Sequence, residues 1–346
     1  MTLPIVFGFQ GPALSPDERA FFREADPAGY ILFARNCIDP AQLRGLTEDL
    51  RSLQGRGDLL ILIDQEGGRV ARLKRPHWPA FPAAAEFAAL YANAPMTAIE
   101  AARHNAAAMA ALLAEAGINV NCAPVLDLAH EGAHDIVGDR SHGADPLQVA
   151  ALGRAVLDGL ASGGVLGCIK HMPGHGRCAA DSHHELPVVD ASREELERDF
   201  APFRTLAPRA AVAMVAHVLY RALDPDRPAS ISPQVIADTI RRDIGFAGLL
   251  LSDDIAMKAL AGSPAETARA VVEAGCDLAL HCSGELSAME QAAAALEAIS
   301  APAAQRLAAA GTRFLIGEAA AQSAFETVMK KRDALVGAAT VVENFR

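Results

Sequence analysis

The stretch Leu249–Asp254 reads LLLSDD, an apolar run that ends abruptly on two carboxylates. A short apolar run without alternation fits a strand buried on both faces of a parallel sheet. Similar runs recur at Ile5–Phe9, Gly29–Phe33, Leu59–Ile63, Asn119–Val125, Val165–Ile169, Ala211–Ala216, Leu249–Leu251 and Leu278–Leu280. Asp64, Asp127, Lys170-His171, His217 and Asp253-Asp254 each follow one of them. In a closed parallel barrel every strand opens its C-terminal end on the same face, where active sites sit. One polar residue at a strand end needs no explanation. The same pattern at five of eight strands predicts a shared pocket.

Amphipathic helical segments lie between these runs, with readable ends. Asp39-Pro40 starts one, its stripe is Leu43, Leu46, Leu50 and Leu53, and Gly55 lies just beyond it. Ser232-Pro233 starts another that runs through Ile236, Ile240 and Ile244 to Gly245. Ile99–Ala116 is alanine-rich and stops at Gly117. Eight strand signals separated by helices predict a single (β/α)8 TIM-type barrel over residues 1–346, with C-terminal helices from Ala301 onward packed outside. The competing doubly wound sheet lacks its usual GxGxxG turn after the first strand.

Composition narrows the function. Half of the residues are apolar, enough for a large core, and the net charge is −11 with no basic block. Nucleic acid and anionic membrane both require a positive footprint, so neither is an expected partner. The six cysteines are scattered without a CxxC pair, as in a reducing compartment. No export signal opens the chain, and no apolar stretch approaches the ~18–20 residues that span a bilayer. A cytoplasmic enzyme or binding protein, acting as a monomer, is expected.

The segment Lys170–Pro187, KHMPGHGRCAADSHHELP, holds four of the eleven histidines around a Pro-Gly turn. Metal binding is one use for His171, His175, Asp181, His183 and His184. Against it, no HExxH helix is present and Pro173, Gly174 and Gly176 make the segment a loop. A second use is glycosyl transfer, with a carboxylate on one side of a sugar and a proton donor on the other. Asp253 at its strand end suits the nucleophile. Asp181 and His183 are two apart, so an extended backbone would place them on one side, and a carboxylate would orient the imidazole. Such a histidine titrates near neutral pH, as a group that gives and takes back a proton must. A third use is sugar binding without catalysis.

The chain resembles family 3 glycoside hydrolases, and among them the bacterial cytoplasmic β-N-acetylhexosaminidases of peptidoglycan recycling. The matching stretches are ILFARN, DQEGGRVAR, APVLDL, GDRSHGADP, KHMPGHGRCAADSHHELP, AHVLYRALDPDRPAS, GFAGLLLSDDIAM and AGCDLAL, in family order over roughly residues 25–285. The resemblance implies Asp253 as nucleophile and His183 as acid/base with Asp181 as its partner. It implies Asp64, Arg72, Arg140, Lys170 and His171 as binders of a non-reducing N-acetylglucosamine. It further implies a retaining, exo-acting hydrolase without metal or other cofactor, whose substrate is N-acetylglucosamine joined to anhydro-N-acetylmuramic acid, with or without peptide. A phosphorylase using the same intermediate stays open, because a neutral imidazole does not repel phosphate. Met172 and Arg177-Cys178 depart from the usual loop sequence. Asp254 is expected to be a structural neighbour, His175 and His184 to stabilise the loop or line the pocket, His217 and Arg69 to support its floor, and Asp127 to orient a cation.

Overall fold

The computed structural model describes residues 1–56, 59–182, 184–318 and 325–343. Among the described residues ten strands form, in chain order β1 (Leu3–Phe7), β2 (Pro27–Leu32), β3 (Leu60–Ile63), β4 (Val120–Asn121), β5 (Leu166–Met172), β6 (Val188–Val189), β7 (Val212–Val215), β8 (Leu219–Tyr220), β9 (Leu249–Asp254) and β10 (Leu278–His281). Eight close a parallel barrel in the order β1, β2, β3, β4, β5, β7, β9, β10 and back to β1. β6 and β8 form a separate parallel pair.

Period-two alternation splits each barrel strand between two cores. Leu60, Leu62, Val120, Cys122, Cys168, Val212, Met214, Leu249, Leu251, Leu278 and Leu280 pack together inside the barrel. Their neighbours Ile61, Ile63, Ile169, Ala213, Val215, Leu250 and Ala279 face the helices in the larger outer core. Both faces of every strand are therefore dry, which is why the runs read as continuous apolar sequence.

The helices are α1 (Pro16–Ala25), α2 (Pro40–Gln54), α3 (Ala84–Asn93), α4 (Pro95–Glu115), α5 (Pro146–Ser162), α6 (Arg193–Leu206), α7 (Pro264–Glu273), α8 (Leu286–Ala294), α9 (Ala301–Glu318) and α10 (Phe325–Glu343). α2 has the expected ends: Asp39 accepts from the Gln42 N–H, and Gly55 closes the helix at φ 66°. α4 begins at Pro95, ahead of the expected Ile99, because proline at a first helical position costs no hydrogen bond. Val235–Asp243 is helical as expected, but wound as a wider π-helix. The Ile244 N–H reaches the Thr239 carbonyl. Among the described residues no helix is long and apolar enough to cross a membrane.

Two features depart from the simplest reading. β4 is far shorter than Asn119–Val125, because asparagine side chains take over part of its ladder. Asn119 accepts from the Ile61 N–H and donates to Leu59 O, and Asn121 does the same with both backbone groups of Gln65. Pro124, which has no N–H, interrupts regular pairing, and a lone parallel bridge joins Val125 to Lys170 beyond it. The C-terminal helices do pack outside the barrel wall, but α9 lies across its N-terminal opening. There Ala310 joins the interior cluster and Leu307 packs against it. α10 packs on α4, where Arg332 donates to Asn105.

Asp277 ties this closed end together. Its carboxylate accepts from Arg306 of α9 at 2.7 Å, from Arg241 at 2.8 Å and from the Leu250 N–H at 2.9 Å. Removing one partner of a buried ion pair costs about 3 kcal/mol or more. Asp277→Ala is therefore expected to lose about that much in denaturant unfolding while turnover per folded molecule stays at the parent level. An unchanged unfolding midpoint would refute the assignment.

Candidate active site

The alternation that fills the barrel also builds the site. Continued two residues at a time, Leu60-Leu62 leads to Asp64, Cys168 to Lys170, Leu249-Leu251 to Asp253, Leu278-Leu280 to Cys282 and Ile31 to Phe33. All five end residues line one cavity of about 300 Å³ at the C-terminal face. His171 of β5 and Asp254 of β9 add to its wall, and the connections between elements add Glu66, Arg69, Arg72, Arg140, His175, Ser182 and Met257. The sequence-predicted Asp64, Arg72, Arg140, Lys170, His171 and Asp253 thus meet in a single pocket.

Charge in this pocket is closely paired. The Lys170 ammonium, buried, lies 2.9 Å from Asp64 Oδ1 and 2.7 Å from Glu66 Oε1. Arg72 donates to the other Asp64 oxygen at 3.0 Å. Arg140 grips both Glu66 oxygens at 2.8 Å. Burial alone would raise the carboxyl pKa values, but the neighbouring cations outweigh it. Lys170 and Arg72 hold Asp64 well below the usual carboxylate range, and Lys170 and Arg140 bring Glu66 down to about 2. Burial opposes the Lys170 charge too, yet Asp64 and Glu66 raise its pKa. The Arg72 guanidinium also lies over the Phe33 ring, 5.2 Å from its centre, and a second cation, Arg35, lies over the same ring at 4.7 Å.

Asp127 holds the His171 ring and the turn that follows it. It accepts from His171 Nδ1 at 2.6 Å and from the backbone N–H groups of His171 and His175 at 3.2 and 2.7 Å. Burial would raise its pKa, but His171 and these donors bring it to about 2. With Nδ1 committed to Asp127, the nitrogen His171 offers the cavity is Nε2. His175 stacks edge-on against His171, with ring centres 5.7 Å apart. Burial and the His171 charge lower its pKa to about 4.

The two consecutive carboxylates on β9 are pushed apart. Burial raises both, but for Asp253 it is overcome by His171, His217 and the Asp254 N–H, which donates to Oδ1 at 2.8 Å. Asp254 is left with a raised pKa despite accepting from the Ala256 and Cys282 N–H groups. Their environments thus push two adjacent carboxyls in opposite directions. His217 sits behind the cavity between Ser230 Oγ and the Asp254 carbonyl, supporting the floor as expected. Arg69 forms part of the wall instead, paired with Asp135 and Asp139.

The histidine-rich loop reaches this pocket through Ser182, whose carbonyl accepts from the Ala259 N–H at 3.2 Å, in the segment after β9. Asp181 precedes it, with His184 Nε2 3.9 Å from Asp181 Oδ2. His183 lies outside the described residues. Gly176 packs so tightly on the Leu128 carbonyl that no Cβ would fit. Among the described residues no three His, Cys, Asp or Glu side chains are arranged to hold a metal ion.

Glu66 is the residue that sequence reasoning missed. It stands two positions after Asp64 within DQEGG, and only the position of Lys170 in space shows that both carboxylates serve one ammonium.

The chain matches the Glycosyl hydrolase family 3 N terminal domain over residues 9–315. A β-hexosaminidase of Alkalilimnicola ehrlichii is 41% identical over 283 residues, covering 81% of this chain and 80% of the relative. The crystal structure of NagZ from Neisseria gonorrhoeae in complex with N-trifluoroacetyl-D-glucosamine aligns with a TM-score of 0.86 and 32% identity, over 98% of each chain. A family 3 β-N-acetylglucosaminidase from a Paenibacillus species aligns at 0.82 with 34% identity, over 90% of this chain and 61% of the other.

These charges make stability depend on acid in a defined way. The unfolded chain protonates His175 near 6.5, whereas the folded site waits until about 4. Stability therefore falls as pH drops across that window. Glu66 and Asp127, lowered from 4.5 and 3.8 to about 2, give stabilisation that is complete above those ordinary values and lost as pH falls towards 2. Glu66→Gln should flatten the loss between pH 4.5 and 2 in denaturant-unfolding curves. A curve parallel to the parent's in that range would contradict the pairing.

Proposed function

The chain belongs to glycosyl hydrolase family 3 and is a β-N-acetylhexosaminidase, and we propose that it is a retaining exo-β-N-acetylglucosaminidase of peptidoglycan fragments. The observation that carries this reading is Asp253, a lowered-pKa carboxylate in the same cavity as Asp64, Arg72, Arg140, Lys170 and His171. Asp64 would accept from sugar hydroxyls, while Lys170, Arg72, Arg140 and His171 Nε2 would hold the remaining oxygens. Each of these cations is already fixed by a carboxylate, so little reorganisation is needed when sugar binds.

In the first step a carboxylate oxygen of Asp253 bonds to the anomeric carbon as the glycosidic bond breaks. The leaving oxygen takes a proton from His183, whose imidazolium Asp181 would stabilise. In the second step the neutral imidazole takes a proton from water, and the water oxygen displaces Asp253. Two inversions leave the anomeric configuration retained. The substrate would be N-acetylglucosamine joined to anhydro-N-acetylmuramic acid, with or without peptide, met in the cytoplasm by a monomeric enzyme. The ligand bound by the Neisseria relative, an N-acylated glucosamine, supports the sugar assignment.

Two experiments test the reading. The parent enzyme should release free N-acetylglucosamine from an aryl glycoside whether or not phosphate is present. Asp253→Ala should lower that turnover by roughly three orders of magnitude or more, the scale of losing a nucleophile. Near-normal turnover would remove Asp253 from this role, and a sugar 1-phosphate product would replace hydrolysis by phosphorolysis. Separately, His183→Ala should damage a disaccharide with a poor leaving group far more than an activated aryl glycoside. Equal losses on both would make His183 a binding residue.

A further inference from the structure

Asp199 lies on α6, away from the sugar cavity, yet it is buried to 1% exposure and both of its oxygens are engaged. Oδ2 accepts from Arg177 Nε at 2.6 Å, and Oδ1 meets His130 Nε2 at 2.7 Å. Arg177 follows the PGHG turn directly and His130 lies in the loop after β4, so one helix carboxylate joins the two loops that flank the site. Arg177 also donates to the Glu195 carbonyl, one turn back on α6.

The surrounding contacts show what this clamp holds. The Tyr220 hydroxyl donates to the Gly174 carbonyl at 2.8 Å. A Cβ on Gly174 would come within 3.0 Å of Asp199 Cβ, so the turn rests directly on α6. The Cys178 N–H bonds to His175 O, and the His134 N–H bonds to Cys178 O. Residues 174–178 are thus fixed from three directions, three residues before Asp181. Beyond the acid/base segment the chain is caught again, where the Leu219 N–H bonds to Pro187 O. Between these anchors the Ser182 carbonyl accepts from the Ala259 N–H.

We infer that Asp199, acting through Arg177, is a positioning residue that aims the acid/base segment at the leaving oxygen. The inference rests on the proposed role of Asp181 and His183. Two charge-assisted hydrogen bonds to a buried carboxylate hold geometry better than neutral contacts do. Misplacement of a catalytic group by about 1 Å can cost about 100-fold. The penalty would fall on proton transfer and leave Asp253, on the opposite side of the sugar, untouched. A residue that only stabilised the fold would not distinguish between leaving groups.

The test compares parent, Arg177→Ala, Asp199→Asn, the double variant and His183→Ala on two N-acetylglucosaminides, one with an activated aryl leaving group and one a disaccharide. Arg177→Ala and Asp199→Asn should each lower kcat/KM on the disaccharide by roughly tenfold or more, within the range that general acid catalysis contributes. On the aryl glycoside kcat/KM, which reports only the steps up to departure of the leaving group, should change less than about threefold. The double variant should be no worse than the more damaged single. Equal losses on the two substrates, or full activity on both, overturn the clamp. If Asp199→Asn does not fold, Arg177→Ala reads the same two outcomes. A His183→Ala enzyme that fails to discriminate sinks the acid/base reading and the clamp with it. One that discriminates beside clamp variants that do not sinks the clamp alone.

Discussion

One buried ammonium organises the pocket. Lys170 reaches the barrel mouth fully desolvated, a position no cation holds without partners. Asp64 and Glu66 supply them, and each carboxylate then recruits an arginine. The result is three cations sharing two anions, a small positive excess in a chain whose overall charge is −11. His171, His217 and the Asp254 N–H favour the ionised form of Asp253, and Lys170 adds to them. A polar ligand would therefore meet donors already oriented, in a place where water is scarce.

The second arrangement, Asp127 with His171 and His175, uses the same logic with an imidazole. A carboxylate in the loop after β4 fixes an imidazole near the end of β5 and simultaneously binds the backbone N–H groups of His171 and His175. The turn and the ring are thereby set by a single residue. This couples the shape of the histidine-rich loop to the cavity-facing nitrogen of His171.

Most of the barrel was legible because strands buried on both faces leave a plain trace in sequence. Helix ends were legible where proline, a capping aspartate or glycine marked them, as at Asp39, Pro40 and Gly55. The legible part of the site was the part carried by period two, since Asp64, Lys170 and Asp253 simply extend apolar rows. What escaped has physical reasons. Asparagine side chains replaced backbone pairing at Asn119 and Asn121, and no propensity reports such an exchange. Glu66 and Asp199 act on residues more than 100 and about 20 positions away, so their partners exist only in space. Nothing in an alanine-rich C-terminal helix says that it will cover the barrel's opening.

That closure also bears on how the molecule folds. β1 bonds to β10, so the barrel closes only when strands some 270 residues apart meet. Before that the β1 edge has no neighbour on that side, and the interior stays open below until Leu307 and Ala310 of α9 dock. Such distant pairing is slow and leaves sticky surface exposed.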